Sequence, residues 1–245
     1  MEHLFEFAFM RNAFIAGTMV AVVAGVVGYF VVLRGLSFAG HALSHVGFAG
    51  ATGAVVVHLP AIAGLLAFSC GGAAVMGALG DRVRGRDVAI GIVLAWCLGL
   101  GVLFLSLYSG YATEAYALLF GEILGISSGN VVLTAFASLL ALVTMTVLYR
   151  PLLFASVDQD AAEVRGVPVG GVAVAFMLVL AVAVATAAQV VGILLVFALL
   201  VTPAAIAERL TARPAHAIAL SVVFALAFTW GGLSLAVWAP YPVSF

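Results

Sequence analysis

Eight apolar runs of about twenty residues leave this chain almost no way to fold except by crossing a bilayer repeatedly. The runs lie at approximately 13–33, 36–57, 60–80, 88–108, 129–149, 168–187, 189–207 and 216–238. Each matches the roughly 20 residues that span a hydrocarbon core as a helix. Only 8% of residues are charged and 66% are hydrophobic, whereas soluble domains carry about 25% charged residues. The fold class that follows is an all-α polytopic membrane protein, with one transmembrane domain over residues 1–245. A shorter piece, Ala115-Tyr-Ala-Leu-Leu-Phe-Gly-Glu-Ile-Leu-Gly125, is too short to cross and reads as an interfacial or re-entrant segment. It would bring the count of about eight to nine.

Charge sets the orientation. The nine basic residues are all Arg. With the N-terminus outside, Arg34, the group Arg82, Arg84 and Arg86, the pair Arg150 and Arg165, and the pair Arg209 and Arg213 fall in cytoplasmic connections. Only Arg11 is left outside, as the positive-inside tendency requires. The N-terminal stretch Met1-Glu-His-Leu-Phe-Glu is acidic where a signal peptide is basic, so it reads as interfacial. The chain contains no Lys, which excludes a Walker A loop, whose phosphate contact is a Lys. Any ATP hydrolysis must reside on another chain.

Catalytic patterns find no support. Gly125-Ile-Ser-Ser-Gly129 matches Gly-x-Ser-x-Gly, but that elbow needs a strand-to-helix turn in a soluble sheet. Gly80-Asp81 lacks both the preceding glycine and the partner aspartate of an intramembrane aspartyl protease. There is no His-Glu-x-x-His helix. Cys70 and Cys97 are isolated in apolar runs and read as small hydrophobes. Neither an enzyme nor a nucleic-acid partner is expected.

The exception to the apolar pattern is His41 and His45, within Leu36-Ser-Phe-Ala-Gly-His-Ala-Leu-Ser-His-Val-Gly-Phe-Ala-Gly50. A spacing of four puts both imidazoles on one helix face. Ionisable groups at membrane depth are either used or shielded. The pair therefore reads as a metal site or as polar contacts between helices. Counted from Leu36 at about 1.5 Å per residue, His45 lies near midplane. Neutral imidazole is the ligating form, so ion binding would compete with protons near the ordinary pKa of about 6.5. Gly47, Gly50 and Gly53 continue this helix and would bring it close to a partner helix or a symmetry copy. His58 ends the same span on the outer side; it reads as interfacial or as a residue that meets an arriving ion. His216 reads as interfacial on the cytoplasmic side. Glu122 either attracts cations at the outer mouth or caps a re-entrant turn.

Between the fifth and sixth spans, Ser156-Val-Asp-Gln-Asp-Ala-Ala-Glu-Val-Arg-Gly-Val-Pro168 opens with acidic residues, continues through helix formers and closes on Gly166 and Pro168. A short helix on the inner face, over 156–167, is expected. It is either a solvated loop helix or a docking helix for a separate motor protein.

These residues resemble the integral permease subunits of bacterial ABC importers for zinc, manganese or iron. Phe30-Val-Val-Leu-Arg-Gly-Leu-Ser-Phe-Ala-Gly-His-Ala-Leu-Ser-His45 is similar to the family's apolar span, Arg, and Asp-x-Leu-Ser-His-Ala pattern. Leu119-Phe-Gly-Glu-Ile-Leu-Gly125 resembles its Leu-Phe-Gly segment. Val157-Asp-Gln-Asp-Ala-Ala-Glu-Val-Arg-Gly166 resembles its coupling helix. Val191-Gly-Ile-Leu-Leu-Val-Phe-Ala-Leu-Leu-Val-Thr-Pro-Ala-Ala205 is similar to its late span.

The resemblance covers nearly the whole chain and implies a type II-like permease in a bacterial inner membrane. It implies a second permease copy, an extracytoplasmic metal-binding protein and an ABC ATPase dimer. That dimer would grip Asp158, Asp160, Glu163, Arg165 and Gly166. A divalent ion, zinc or manganese, would be cargo at His41 and His45, with no permanently bound cofactor. Two departures stand out. The family usually has Asp at position 41, and His replaces that hard oxygen by a borderline nitrogen suited to zinc. The family also commonly continues into another span beyond Tyr241-Pro-Val-Ser-Phe245, so a last span is expected to be absent or the chain shortened. Two other readings are a similar permease for a chelated metal or cobalamin-like substrate, and a haem-bearing electron-transfer subunit.

Overall fold

The computed structural model describes residues 8–79, 86–107 and 126–238, and among them the regular structure is entirely helical. The helices are α1 (Ala8–Leu33), α2 (Ser37–Val56), α3 (Ala61–Leu79), α4 (Arg86–Leu107), α5 (Ser128–Val157), α6 (Gln159–Val164), α7 (Val169–Val191), α8 (Ile193–Leu210) and α9 (Pro214–Trp238). All eight expected spans are present as helices. Glu122 and the Leu-Phe-Gly segment lie outside the described residues, as do Arg82 and Arg84.

Seven of the described helices are long and apolar enough to cross a membrane; α2 is not among them. Its 20 residues include two His, three Ser or Thr and four Gly, which lower its hydropathy. The helix nevertheless has the length to cross, about 30 Å at 1.5 Å per residue. Most of its residues are buried against neighbouring helices. A segment walled in by protein need not satisfy the solvent requirements of lipid.

Two boundaries differ from the apolar-run reading. The fifth span continues through Arg150 and Pro151 to Val157 because apolar character resumes at once in Leu152-Leu-Phe154, with Leu152 fully buried. Arg150 therefore sits on a helix rather than in a connection. It still lies roughly 33 Å from Ser128, beyond the hydrocarbon core. The helix expected over 156–167 is correspondingly shorter, spanning Gln159–Val164. A second difference is the junction of α7 and α8, where only Gly192 intervenes, with φ 84°. Glycine reaches this conformation without a Cβ clash.

The chain forms two compact units. One gathers most of α1, the first part of α5, the end of α7, and α8 and α9. Within it, Trp230 Nε1 donates to Thr18 Oγ1 at 3.0 Å, tying α9 to α1. Asn12 Nδ2 donates to the Ile126 carbonyl at 3.2 Å, fixing the approach to α5. The other unit gathers α2, α3, α4, the remainder of α5, α6 and most of α7, and contains both histidines of the pair.

In this second unit α2 packs on α3 and α4. The expected close approach is realised within the chain: a Cβ at Gly50 would fall on the Gly64 carbonyl, and one at Gly64 on the Gly50 carbonyl. Gly47 faces Ser69, and Gly53 faces the Phe104 ring. Small residues thus let three backbones approach within a membrane, where apolar packing alone gains little over lipid.

Candidate functional site

The tight turn Arg34-Gly35-Leu36 delivers the chain from α1 into α2, with Gly35 at φ 63°. The α2 helix opens without a side-chain cap; the Gly40 amide reaches the Leu36 carbonyl at 2.9 Å. From Phe38 to Thr52, every residue is buried except Phe38, His41 and His45. These three follow a 3-then-4 spacing, which is one face of a helix. The open strip of an otherwise enclosed helix therefore consists of two imidazoles and a phenyl ring.

The two imidazole centroids are 4.7 Å apart, with planes at 79°. Two imidazoles bound to one ion at about 2.0–2.1 Å hold their ring centres roughly 5 Å apart. The observed separation is therefore compatible with shared ligation after small side-chain rotations. Ser44 Oγ donates to the His41 carbonyl at 2.7 Å, so the backbone between the two histidines carries an extra bond. The spacing of Phe38 to His41 was the available signal for the phenyl ring. Ser44 was legible only as a polar residue in an apolar run.

Two nitrogens do not complete a coordination sphere; structural and transport ions of this class take four or more donors. Among the described residues no group of three or more His, Cys, Asp or Glu is placed to hold an ion. An ion held by the pair would need further donors from outside this group, and Glu122 lies beyond the described residues. His58 is exposed at the end of α2, thirteen residues beyond His45, so it does not join the pair; His216 is exposed near the start of α9, in the other unit.

Also in the second unit, α6 is a six-residue helix capped at both ends. Asp158 Oδ1 accepts from the Ala161 amide at 2.9 Å, an N-cap. At the other end the Gly166 amide donates to the Glu163 carbonyl at 2.9 Å, and the Val167 amide to the Ala162 carbonyl at 3.0 Å. With Gly166 at φ 83°, this is a Schellman closure. Ala162 is buried with Ala155 and Val169, and Phe154 and Val167 pack around them. The Arg165 guanidinium lies over the Phe154 ring at 5.7 Å.

These contacts pin the helix and leave Asp160, Glu163, Arg165 and Val164 outward. Val164 is 89% exposed and Val157 78%. These two apolar side chains beside the acidic ones were not singled out from sequence; their position flanking the charged run was the available signal. Asp158 and Gly166, which were, shape the segment through its caps.

A family model described as the ABC 3 transport family matches residues 6–244. The manganese transport system membrane protein MntC of Listeria innocua is 33% identical over 235 residues, covering 96% of this chain and 81% of that protein. The manganese import system permease protein ScaB of Streptococcus gordonii is 31% identical, covering 84% of this chain and 74% of that protein. Among solved structures, PsaBC from Streptococcus pneumoniae in complex with Fab superposes with a TM-score of 0.88 at 30% identity. That match covers 99% of this chain and 88% of the other. A metal-chelate type ABC transporter in an inward-facing conformation has a TM-score of 0.69 at 16% identity, a likeness of fold alone.

Proposed function

Because the chain belongs to the ABC 3 transport family, we propose that it is the membrane permease subunit of an ATP-driven divalent-metal importer, with His41 and His45 binding the ion in transit. The observation that carries this reading is the open strip of α2. Between Ala39 and Thr52, where every other residue of the helix is buried, the half-buried residues are two imidazoles at ligand-sharing distance. Ionisable groups placed so deep in an apolar chain are costly unless used.

The relatives named for manganese keep that ion among the candidates. The paired nitrogens, without a carboxylate in the described site, favour zinc or a similar late ion. A second copy of the permease, related by a two-fold axis, supplies the missing donors by presenting its own α2 strip. The ATPase subunits take up α6, with Asp160, Glu163 and Arg165 as charged contacts and Val157 and Val164 as apolar ones. An extracytoplasmic binding protein delivers the ion at the opposite face.

The test is uptake of radiolabelled zinc and manganese by the complete transporter in proteoliposomes, with a His41→Ala, His45→Ala double variant. Uptake of both ions is expected to fall to background, with zinc the better substrate of the unaltered protein. Full uptake by the double variant would sink the assignment and turn attention to a chelated cargo that needs no protein ligand.

A further inference from the structure

The positive-φ residues among the described chain are Gly35, His58, Gly166 and Gly192. Three are glycine, which meets no Cβ clash in the left-handed region. His58, at φ 60°, is the exception. It follows Val57, the C-cap of α2. Its amide donates to the Val55 carbonyl at 3.1 Å, and the Leu59 amide to the Ala54 carbonyl at 2.8 Å. This is the Schellman closure that ends α6, where the equivalent residue is Gly166.

The chain therefore contains its own control. The same motif closes two helices, with glycine at one and an imidazole at the other. For closing a helix glycine is the easier residue, because a Cβ in the left-handed conformation crowds the following carbonyl. A strained backbone position that displays a functional side chain is a pointer to use. The side chain displayed here is an imidazole, and Val57, His58, Leu59 and Pro60 are all exposed. His58 is thus presented to its surroundings by a fixed turn.

We propose that His58 is a transient ligand for the divalent ion at the outer end of α2, before the ion reaches His41 and His45. The proposal rests on the reading of α2 as the pathway helix and adds a step to it. His45 and His58 are thirteen residues apart (58 − 45), about 20 Å along the helix, so one ion cannot touch both. The two positions act in succession. A single imidazole holds an ion weakly, which suits a position that must release it inward. Its nitrogen shares the preference of the inner pair for late transition ions over magnesium or calcium.

The experiment has two arms. In the first, His58→Gly and His58→Asn are compared with the unaltered transporter, assembled with its ATPase and binding protein in proteoliposomes. Both replacements accept the left-handed conformation, and neither offers an imidazole. The concentration of zinc-loaded binding protein giving half-maximal uptake is expected to rise about three- to tenfold, with the maximal rate unchanged. The melting temperature of His58→Gly should equal or exceed that of the unaltered complex, since the strain is removed. In the second arm, carbethoxylation of His58 by diethyl pyrocarbonate is followed by mass spectrometry on the permease and ATPase complex without binding protein. Zinc is expected to slow the labelling and magnesium to leave it unchanged.

Unchanged half-saturation in both variants would overturn the proposal, and so would labelling indifferent to zinc. Protection that appears only with the binding protein present would also overturn it, by making His58 a protein contact. Failure of the inner-pair reading is separately visible: it would show as full uptake by the His41→Ala, His45→Ala transporter, whatever happens at His58.

Discussion

Helices α2 and α5 both run the depth of a membrane, and they answer it in opposite ways. The α2 helix carries two His, two Ser, a Thr and four Gly in 20 residues and is buried along most of its length. The α5 helix has 30 residues and exposes Val132, Phe136, Leu139, Val143 and Val147, an apolar stripe at helical spacing. Polarity in this chain tracks what a helix faces, not how deep it lies. Protein neighbours shield α2, so polar groups survive there, and the strip of Phe38, His41 and His45 is the part left less enclosed. The exposed stripe of α5 meets an apolar surrounding with apolar side chains, and Thr146 beside them turns its hydroxyl back to the Val143 carbonyl at 2.7 Å.

Substitutions should divide along this line. The largest effect is expected for Gly50→Val on α2. Its Cβ would fall on the Gly64 carbonyl, so the helices must separate, at the upper end of the roughly 1–3 kcal/mol or more typical of overpacking. The yield of folded protein after detergent extraction and gel filtration should collapse; a normal yield would show that the α2 and α3 backbones do not approach this closely. An intermediate effect belongs to α6. Asp158→Ala removes the bond to the Ala161 amide and should lower stability by about 1 kcal/mol, read as a reduced melting temperature. The smallest is expected for Val143→Ala on the α5 stripe. With an apolar surrounding in place of a packed core, the change should stay within about 0.5 kcal/mol. A large loss at Val143 would mean that this stripe is covered by protein.

Much of this was legible in the residues, because the bilayer imposes a length and an apolarity that leave a strong mark. All eight apolar runs proved to be helices, and the spacing of His41 and His45 placed them on one face before any coordinates. What was not legible has physical causes. The extension of α5 past Pro151 was hidden because proline usually ends a helix, whereas here buried Leu152 carries it on. The break between the sixth and seventh spans was read near residue 188, four residues before Gly192, because the apolar sequence runs on unbroken through Val190 and Val191 and does not mark the turn. The left-handed conformation of His58 has no sequence signature, since that position ordinarily selects glycine. The rest of the ion's coordination sphere was beyond reach for a different reason: two donors on one strip show where an ion would be held, not what completes its shell.

On the proposed function, the α2 strip holds the ion through its two imidazoles. The most direct measurement is X-ray absorption at the zinc edge of the zinc-loaded transporter. Ligation by the pair gives nitrogen scatterers at about 2.0–2.1 Å with the outer-shell pattern of imidazole, lost together with the bound zinc in the His41→Ala, His45→Ala complex. An unaltered spectrum and zinc content in that complex would contradict it.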